Sequence, residues 1–358
     1  MPDTRMIMNA VVSIEHPAWA HQFRGIISEL ERRGHNVLVL AIDKDNSYAL
    51  LDAFNVAYER IAPTTGANIF QKGWLFFLTA WRMFWACRRF RPEVFFGRAS
   101  PMMAVNSFLF RKPHILYEDS EFSRFSLAVC RLFSTTILTP RRFRRDLGPK
   151  QRSVDTFKEL FYLHPSVFTP DPSVVERLGL AQGGYVFVRF IAWNASHEFG
   201  MRELSAAGQL RLVRALESMM PVVVSYEGAA PAGLRPYIRQ FPLADVHHLL
   251  AHAALYVGEG ITMASEAAVL GTHAVCINPQ SAGTLEDQEG FGLLTLCPGQ
   301  DRYERGLELA RELLADPQLT AKGAAKRQAM LARCVEINQE FVALVERAAA
   351  GISATRPA

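Results

Sequence analysis

The chain has 358 residues, 49% of them hydrophobic and 21% charged, with a formal net charge of only +4, proportions that suit a globular protein of about two domains. Its five cysteines (Cys87, Cys130, Cys276, Cys297 and Cys334) are odd in number and lack CxxC spacing, which excludes a disulfide framework and a zinc site and indicates a reducing compartment. The charge is uneven: from Arg82 to Arg152 fifteen Lys and Arg residues face five carboxylates, a balance expected for an anionic partner or for a solvated basic face.

In chain order, Ile7–Ile14 reads as a strand and Trp19–Arg33 as a helix with Phe23, Ile26, Ile27 and Leu30 on one face. Gly34 stops that helix before a strand at Val37–Ile42. A short helix at Ala49–Phe54, a strand at Ala57–Ile61 and a long helix at Lys72–Phe90 follow. Next come a strand at Glu93–Phe96, a helix at Ala99–Phe110, a strand at His114–Tyr117, a helix at Phe122–Phe133 and a strand at Thr135–Leu138. The proline-rich stretch His164–Pro172 reads as a stiff connector. Beyond it lie a strand at Tyr185–Ile191, a helix at Ala206–Glu217, a strand at Pro221–Ser225 and short helices at Leu234–Ile238 and His247–Ala253. A strand at Leu255–Val257 leads to a glycine turn and a helix, then to a strand at Ala274–Ile277 and helices at Tyr303–Ala315 and Ala321–Ala349. Strands alternating with helices on short loops imply parallel sheets covered on both faces. The expected domains are 1–164 and 165–358, with the terminal helix strapping back onto the first. The first apolar segment runs into charged helix rather than a small-residue cleavage site, so a cytoplasmic protein is expected.

The glycine turn, Gly258-Glu259-Gly260-Ile261-Thr262-Met263, carries the clearest chemistry. Its glycines permit a tight turn, Thr262 or Ser265 can cap a helix opening at Met263, and Gly271 closes it. A glycine turn feeding a helix start presents backbone N–H groups and the positive end of the helix dipole, a site for phosphate. Glu266 stands about one turn further in, where it can reach a sugar hydroxyl. An ordinary strand–turn–helix connection with a solvated glutamate is the alternative.

Polar residues gather at the ends of several other strands, where open α/β sheets bind ligands. In the first half these are Glu15, His16 and His21, then Arg98 and Ser100, then Glu118, Asp119 and Glu121. In the second half they are Arg189, Trp193, Asn194, His197 and Glu198, with Glu227, His247 and His248. An arginine inside the apolar strand at 185–191 needs a fixed partner, either an anionic ligand or a carboxylate such as Glu227.

The helix around Trp74–Phe90 reaches Arg82 too early to span a bilayer, which takes ~20 apolar residues. Its aromatics and arginines suit an interfacial helix lying on anionic lipid, or else a core helix with its tryptophans turned inward. No nucleic-acid recognition motif accompanies the arginines, and no nucleic-acid partner is expected.

Several segments resemble, nearly end to end, a prokaryotic domain-of-unknown-function family placed among GT-B-fold proteins. They are Glu29–Val37, Tyr117–Glu121, Leu138–Pro140, Tyr162–Pro165, and above all Val188–His197 and Gly260–Thr272. More distantly, the glycine–helix–Glu segment is similar to that of UDP-GlcNAc 2-epimerases and of the lipid-linked UDP-GlcNAc transferase of peptidoglycan synthesis. The resemblance implies a GT-B-like α/β fold of two doubly wound, Rossmann-like parallel-sheet domains facing a cleft. It also implies that Gly260, Ile261 and Thr262 face a nucleotide diphosphate and that Glu266 binds ribose. The chain departs from these relatives at Ser13–His21, which has no glycine-rich loop, and at Thr272-His273, where the relatives have proline second.

The expected function is metal-independent glycosyl transfer from a UDP-type sugar to a lipid-linked or glycan acceptor in surface-glycan assembly, on the cytoplasmic face of a membrane. Arg189, Asn194, Glu227 and His247 join the nucleotide-sugar set, and His16, His21, Asp119 and His197 are the candidate acid/base groups. No cofactor and no metal site is expected, since no DxD-type pair is present. A UDP-sugar 2-epimerase and a non-catalytic nucleotide-sugar-binding subunit are the alternatives.

Overall fold

The computed structural model describes residues 7–43, 47–63, 69–191 and 204–351. The chain divides into one unit of residues 1–167 with 334–358 and a second of residues 168–333.

The first unit is built around short, almost wholly buried central strands, as expected where helices cover both faces of a sheet. Its elements are β1 (Asn9–Ile14), α1 (Pro17–Arg32), β2 (Asn36–Asp43), α2 (Ser47–Ala53), β3 (Glu59–Pro63), α3 (Ile69–Phe90), β4 (Val94–Gly97), α4 (Pro101–Phe110), β5 (His114–Tyr117), α5 (Arg124–Phe133), β6 (Thr136–Pro140), β7 (Gln151–Val154) and α6 (Leu160–Leu163). All pairings are parallel, in the order β3-β2-β1-β4-β5-β6-β7. The order reverses direction between β1 and β4. With right-handed crossovers, α3, α4 and α5 therefore share one face of the sheet, and α1 and α2 cover the other.

The second unit runs α7 (Pro172–Arg177), β8 (Val186–Phe190), α8 (Ala206–Glu217), β9 (Val222–Tyr226), α9 (Val246–His252), β10 (Leu255–Gly258), α10 (Ile261–Leu270), β11 (Ala274–Cys276), α11 (Gly283–Gly290), β12 (Leu294–Leu296), α12 (Arg302–Leu314) and α13 (Leu319–Arg333). Its parallel sheet has the order β12-β11-β10-β8-β9, so the switch in direction falls between β8 and β10. Val186, Val188, Phe190, Val257 and Val275 form the centre of its core.

The last helix, α14 (Ile337–Ala349), belongs to the first unit and packs on α1 and α6. Phe341 meets Phe23, Phe96 and Phe161 at ring separations of 5.7–6.2 Å. Ile337, Phe341, Val342, Leu344 and Val345 are all buried; at about 1.5–3 kcal/mol each, this helix is a major part of that core.

Three local expectations are corrected. The helix expected over 321–349 is two helices, broken at Cys334–Glu336, where Glu336 accepts from Gln339 N to cap the second. The edge strands β7 and β12, and α11 between β11 and β12, carry no strong apolar period and were not read from the sequence. The short helix near Leu234 is a 3-10 turn over Ala232–Tyr237, shaped around Pro236. Helix α1 opens at Pro17, because His16 Nδ1 accepts from Ala18 N and caps it there.

Candidate functional site

The switch point of the second sheet brings Arg189 and the glycine turn together. Gly258 ends β10 in register with Arg189 on β8, so the turn grows directly beside the arginine. Helix α10 opens at Ile261, two residues earlier than expected. Its N-cap is Gly260, in extended backbone and with no side-chain cap bond; neither Thr262 nor Ser265 caps it. The glycines serve close approach rather than a left-handed turn. A Cβ on Gly258 would stand 2.7 Å from the Arg189 carbonyl oxygen and 2.8 Å from the Tyr256 hydroxyl, and one on Gly260 would stand 3.2 Å from Arg189 Cγ. Gly271 does close the helix in the left-handed region, at φ 92°.

A buried frame fixes this turn. Glu259, almost wholly enclosed, accepts from Ile191 N at 3.1 Å and from the Tyr303 hydroxyl at 2.7 Å, while Asn278 Nδ2 donates to the Glu259 carbonyl at 2.7 Å. On α10, Ser265 Oγ accepts from buried Gln288 at 2.8 Å. Arg189 extends along the turn and donates to Ser225 Oγ at 2.8 Å and to Glu227 at 3.2 Å. Glu227 is about half exposed, at 51%, so the pair is only loosely held. Thr262 is exposed and Ile261 half-buried, so the helix start is open to solvent.

Glu266 is not a solvated surface glutamate. It is buried at 8% exposure and lies 3.1 Å from His247 Nε2. His247 sits in the first turn of α9, edge-on to the Phe168 ring at 6.1 Å. The structure thus joins Arg189, Glu227 and the turn at 258–262 at one strand end and pairs His247 with Glu266 on α9 and α10. The expectations for Trp193, Asn194, His197 and Glu198 fall outside the described residues.

In the first unit the switch point between β1 and β4 carries a dense charge network. Arg98 ion-pairs with Glu118, and also with Asp119 at 2.5 Å, and it donates to Gln22 at 3.1 Å. Lys158 adds a second cation, 3.1 Å from Asp119. Burial alone would raise the Asp119 pKa, but Lys158 and Arg98 outweigh it and hold the carboxyl well below its usual range. Glu118 also accepts from the backbone N–H groups of Ala99, Asp119 and Ser120. The Tyr117 hydroxyl below this network is buried with no hydrogen-bond partner. His16 is the α1 cap, and His21 packs between the Phe54 and Tyr162 rings at 5.1 and 5.7 Å. Ser100 caps α4, and Glu121 accepts from Arg144 N. Among the described residues no group of three His, Cys, Asp or Glu is placed to hold a metal ion.

Sequence reasoning overlooked Lys158, Ser225, Asn278, Gln288 and Tyr303. Lys158 follows the unread strand β7, and the other four meet their partners only through long-range folding, so no local signal marks them.

Helix α3 turns its tryptophans outward. Trp74, Phe77, Trp81 and Trp85 are between 43% and 66% exposed, while Thr79, Met83, Ala86 and Cys87 are buried, which removes the core-helix alternative. No helix of the described residues is long and apolar enough to cross a membrane.

Neither a family model nor a curated protein matches the sequence. Solved structures match over nearly the whole chain at low identity. The S. aureus MnaA–UDP co-structure has a TM-score of 0.68 at 10% identity, covering 98% of this chain and 99% of that one. UDP-GlcNAc 2-epimerase from Neisseria meningitidis, bound to UDP-GlcNAc, scores 0.67 at 10% identity, covering 94% and 99%. The spinosyn rhamnosyltransferase SpnG scores 0.60 at 16% identity, covering 95% and 99%. The chain has an α/β fold of the GT-B type, with two parallel-sheet units, structurally similar to UDP-GlcNAc 2-epimerases and to glycosyltransferases.

Proposed function

We propose that the chain binds a UDP-type sugar on its second unit and transfers the sugar to a lipid-linked or glycan acceptor in surface-glycan assembly, at the cytoplasmic face of a membrane. The observation that carries this is the convergence at one switch point of a solvent-open helix start with no side-chain cap and a guanidinium whose partners among the described residues are a half-exposed carboxylate and a hydroxyl. The N–H groups of Gly260, Ile261 and Thr262 would meet the diphosphate, with Arg189 beside them to neutralise the leaving group without a metal ion. Glu266, positioned by His247, would accept from the ribose hydroxyls. The structures solved with UDP and UDP-GlcNAc share this fold and support the choice of nucleotide. Acceptor activation is assigned to His16 or His21 of the first unit. Asp119, fixed between two cations, serves better as an orienting charge than as a base.

A UDP-sugar 2-epimerase is the second reading, favoured by the TM-score of 0.67 to the N. meningitidis epimerase against 0.60 to SpnG. Against it, Asp119, one of the acid/base groups such chemistry would draw on, is held between Arg98 and Lys158. Incubation with UDP-sugars separates the two. UDP release that requires an acceptor supports transfer; sugar interconversion with no acceptor overturns it in favour of epimerisation. Nucleotide binding with neither reaction overturns both and leaves a binding subunit.

A further inference from the structure

The outer face of the α3–α5 layer in the first unit is, we propose, a docking surface for anionic phospholipid. This rests on the membrane placement given above and deepens it by assigning the surface and the lipid charge. At 100° per residue, Trp74, Phe77, Trp81, Trp85 and Arg88 lie on one stripe of α3, opposite the residues that face the sheet. The stripe is about 20 Å long. Helix α5 repeats the arrangement: Phe125 and Leu132 are exposed at 69% and 70%, and Leu127 and Cys130 point inward. Helix α4 lies between the two, joined to α3 through Phe84–Phe110 at 5.1 Å and to α5 through Phe108–Phe133 at 5.0 Å.

Every strongly exposed Trp or Phe among the described residues lies on this layer or just before α5. Without Phe76, which lies on the other side of α3, seven such rings, a little over half exposed and at ~200 Å² each, leave roughly 800 Å² of aromatic surface, above the ~300–600 Å² typical of a monomer's largest patch.

Charge identifies the occupant. In a parallel sheet every helix ends where the next strand begins, so the cations at the ends of α3, α4 and α5 share one edge of this face. These include Arg88, Arg91, Arg111, Lys112 and Arg131, all exposed. A groove of about 440 Å³ at that edge is lined by Arg88, Arg91, Lys112, Phe110 and one carboxylate, Glu93. Glu93 is itself engaged, accepting from Asn9 N at 2.9 Å. Aromatic surface flanked by a basic groove matches the interface of an anionic bilayer, with rings at headgroup depth and phosphates in the groove.

Co-sedimentation of the full chain with vesicles tests this. Binding to equimolar phosphatidylcholine/phosphatidylglycerol is expected to exceed binding to phosphatidylcholine alone by at least tenfold. It should fall about tenfold or more as salt rises from ~0.1 M to ~1 M. The pair Trp74→Ser and Trp81→Ser should abolish binding, and Arg88→Ser with Lys112→Ser should remove the preference for anionic vesicles. Leu243→Ser, on an equally exposed leucine of the second unit, should change nothing. All these positions are exposed, and unshifted thermal unfolding checks that the variants fold. Equal binding to both vesicle types, binding to neither, or a soluble dimer dissolved by the tryptophan pair overturns the inference. UDP titration of the same sample reads the second unit separately, so a loss of one property does not mimic a loss of the other.

Discussion

Glu266 offers the sharpest perturbation, because its two roles make opposite demands. In the free protein it is buried and 3.1 Å from His247. Glu266→Ala removes one member of a buried pair and its contact with the imidazole, a cost of about 1–3 kcal/mol. Glu266→Gln keeps the size and can still hydrogen-bond His247, so its unfolding free energy should drop by under about 1 kcal/mol. Nucleotide binding should separate the variants differently. A carboxylate bonded to ribose hydroxyls makes charged hydrogen bonds, worth about 1.5–3 kcal/mol. At about 1.4 kcal/mol per tenfold, losing that charge weakens UDP binding roughly tenfold to a hundredfold. Glu266→Gln is therefore expected to be nearly as stable as the parent yet markedly weaker in calorimetric titration with UDP. An unchanged UDP affinity in Glu266→Gln, with the protein folded, would refute the ribose role and leave Glu266 a structural partner of His247.

Gly258→Ala should destabilise the second unit by about 1–3 kcal/mol in chemical denaturation, since its Cβ would meet a backbone oxygen at 2.7 Å; Gly260→Ala, with a nearest contact of 3.2 Å to a flexible side chain, should cost less. Equal costs for the two would contradict the close-approach account. Arg189→Met should lower UDP affinity at least tenfold while shifting unfolding by no more than about 1 kcal/mol, because its present partners are a hydroxyl and a half-exposed carboxylate; a large stability loss with unchanged binding would make it structural. Burial lowers the His114 pKa to about 3, and burial reinforced by Lys326 lowers that of His273 to about 4. Both stay neutral in the fold while the unfolded chain takes up protons below 6.5, so their contribution is complete above pH 6.5 and falls by about 1.4 kcal/mol per pH unit for each as the pH drops toward the folded values. Thermal unfolding should therefore move steadily downward from pH 6.5 to about pH 4.5 and less steeply in His114→Asn; a flat profile would contradict this.

The repeating plan of both sheets was legible because each buried strand is a short apolar run punctuated by Gly or Pro, as in Val37–Leu40 and Leu255–Val257. Edge strands broke that rule: Gln151–Val154 is polar and half-exposed, so nothing in its local pattern marks a strand. The glycine turn is legible as a turn, but the reason for its glycines, close approach to Arg189, is not. No reading of 258–262 alone shows that Arg189 presses against it, because that neighbour comes from a register set almost seventy residues away. The place of Glu266, one turn into the helix after the glycines, is legible in the sequence; its burial is not, because it involves His247, brought in by α9. The outward tryptophans of α3 were ambiguous for a different reason. A helix with aromatics on one side and Met, Ala and Cys on the other has two apolar faces, and only packing decides which one meets the sheet.

The most direct test of the central claim is a structure of the chain determined with UDP or UDP-GlcNAc bound. The account predicts the diphosphate on the N–H groups of Gly260–Thr262 with Arg189 beside it, and the ribose hydroxyls on Glu266. A nucleotide bound away from this turn, or no binding at concentrations that saturate the neighbouring epimerase folds, would contradict it.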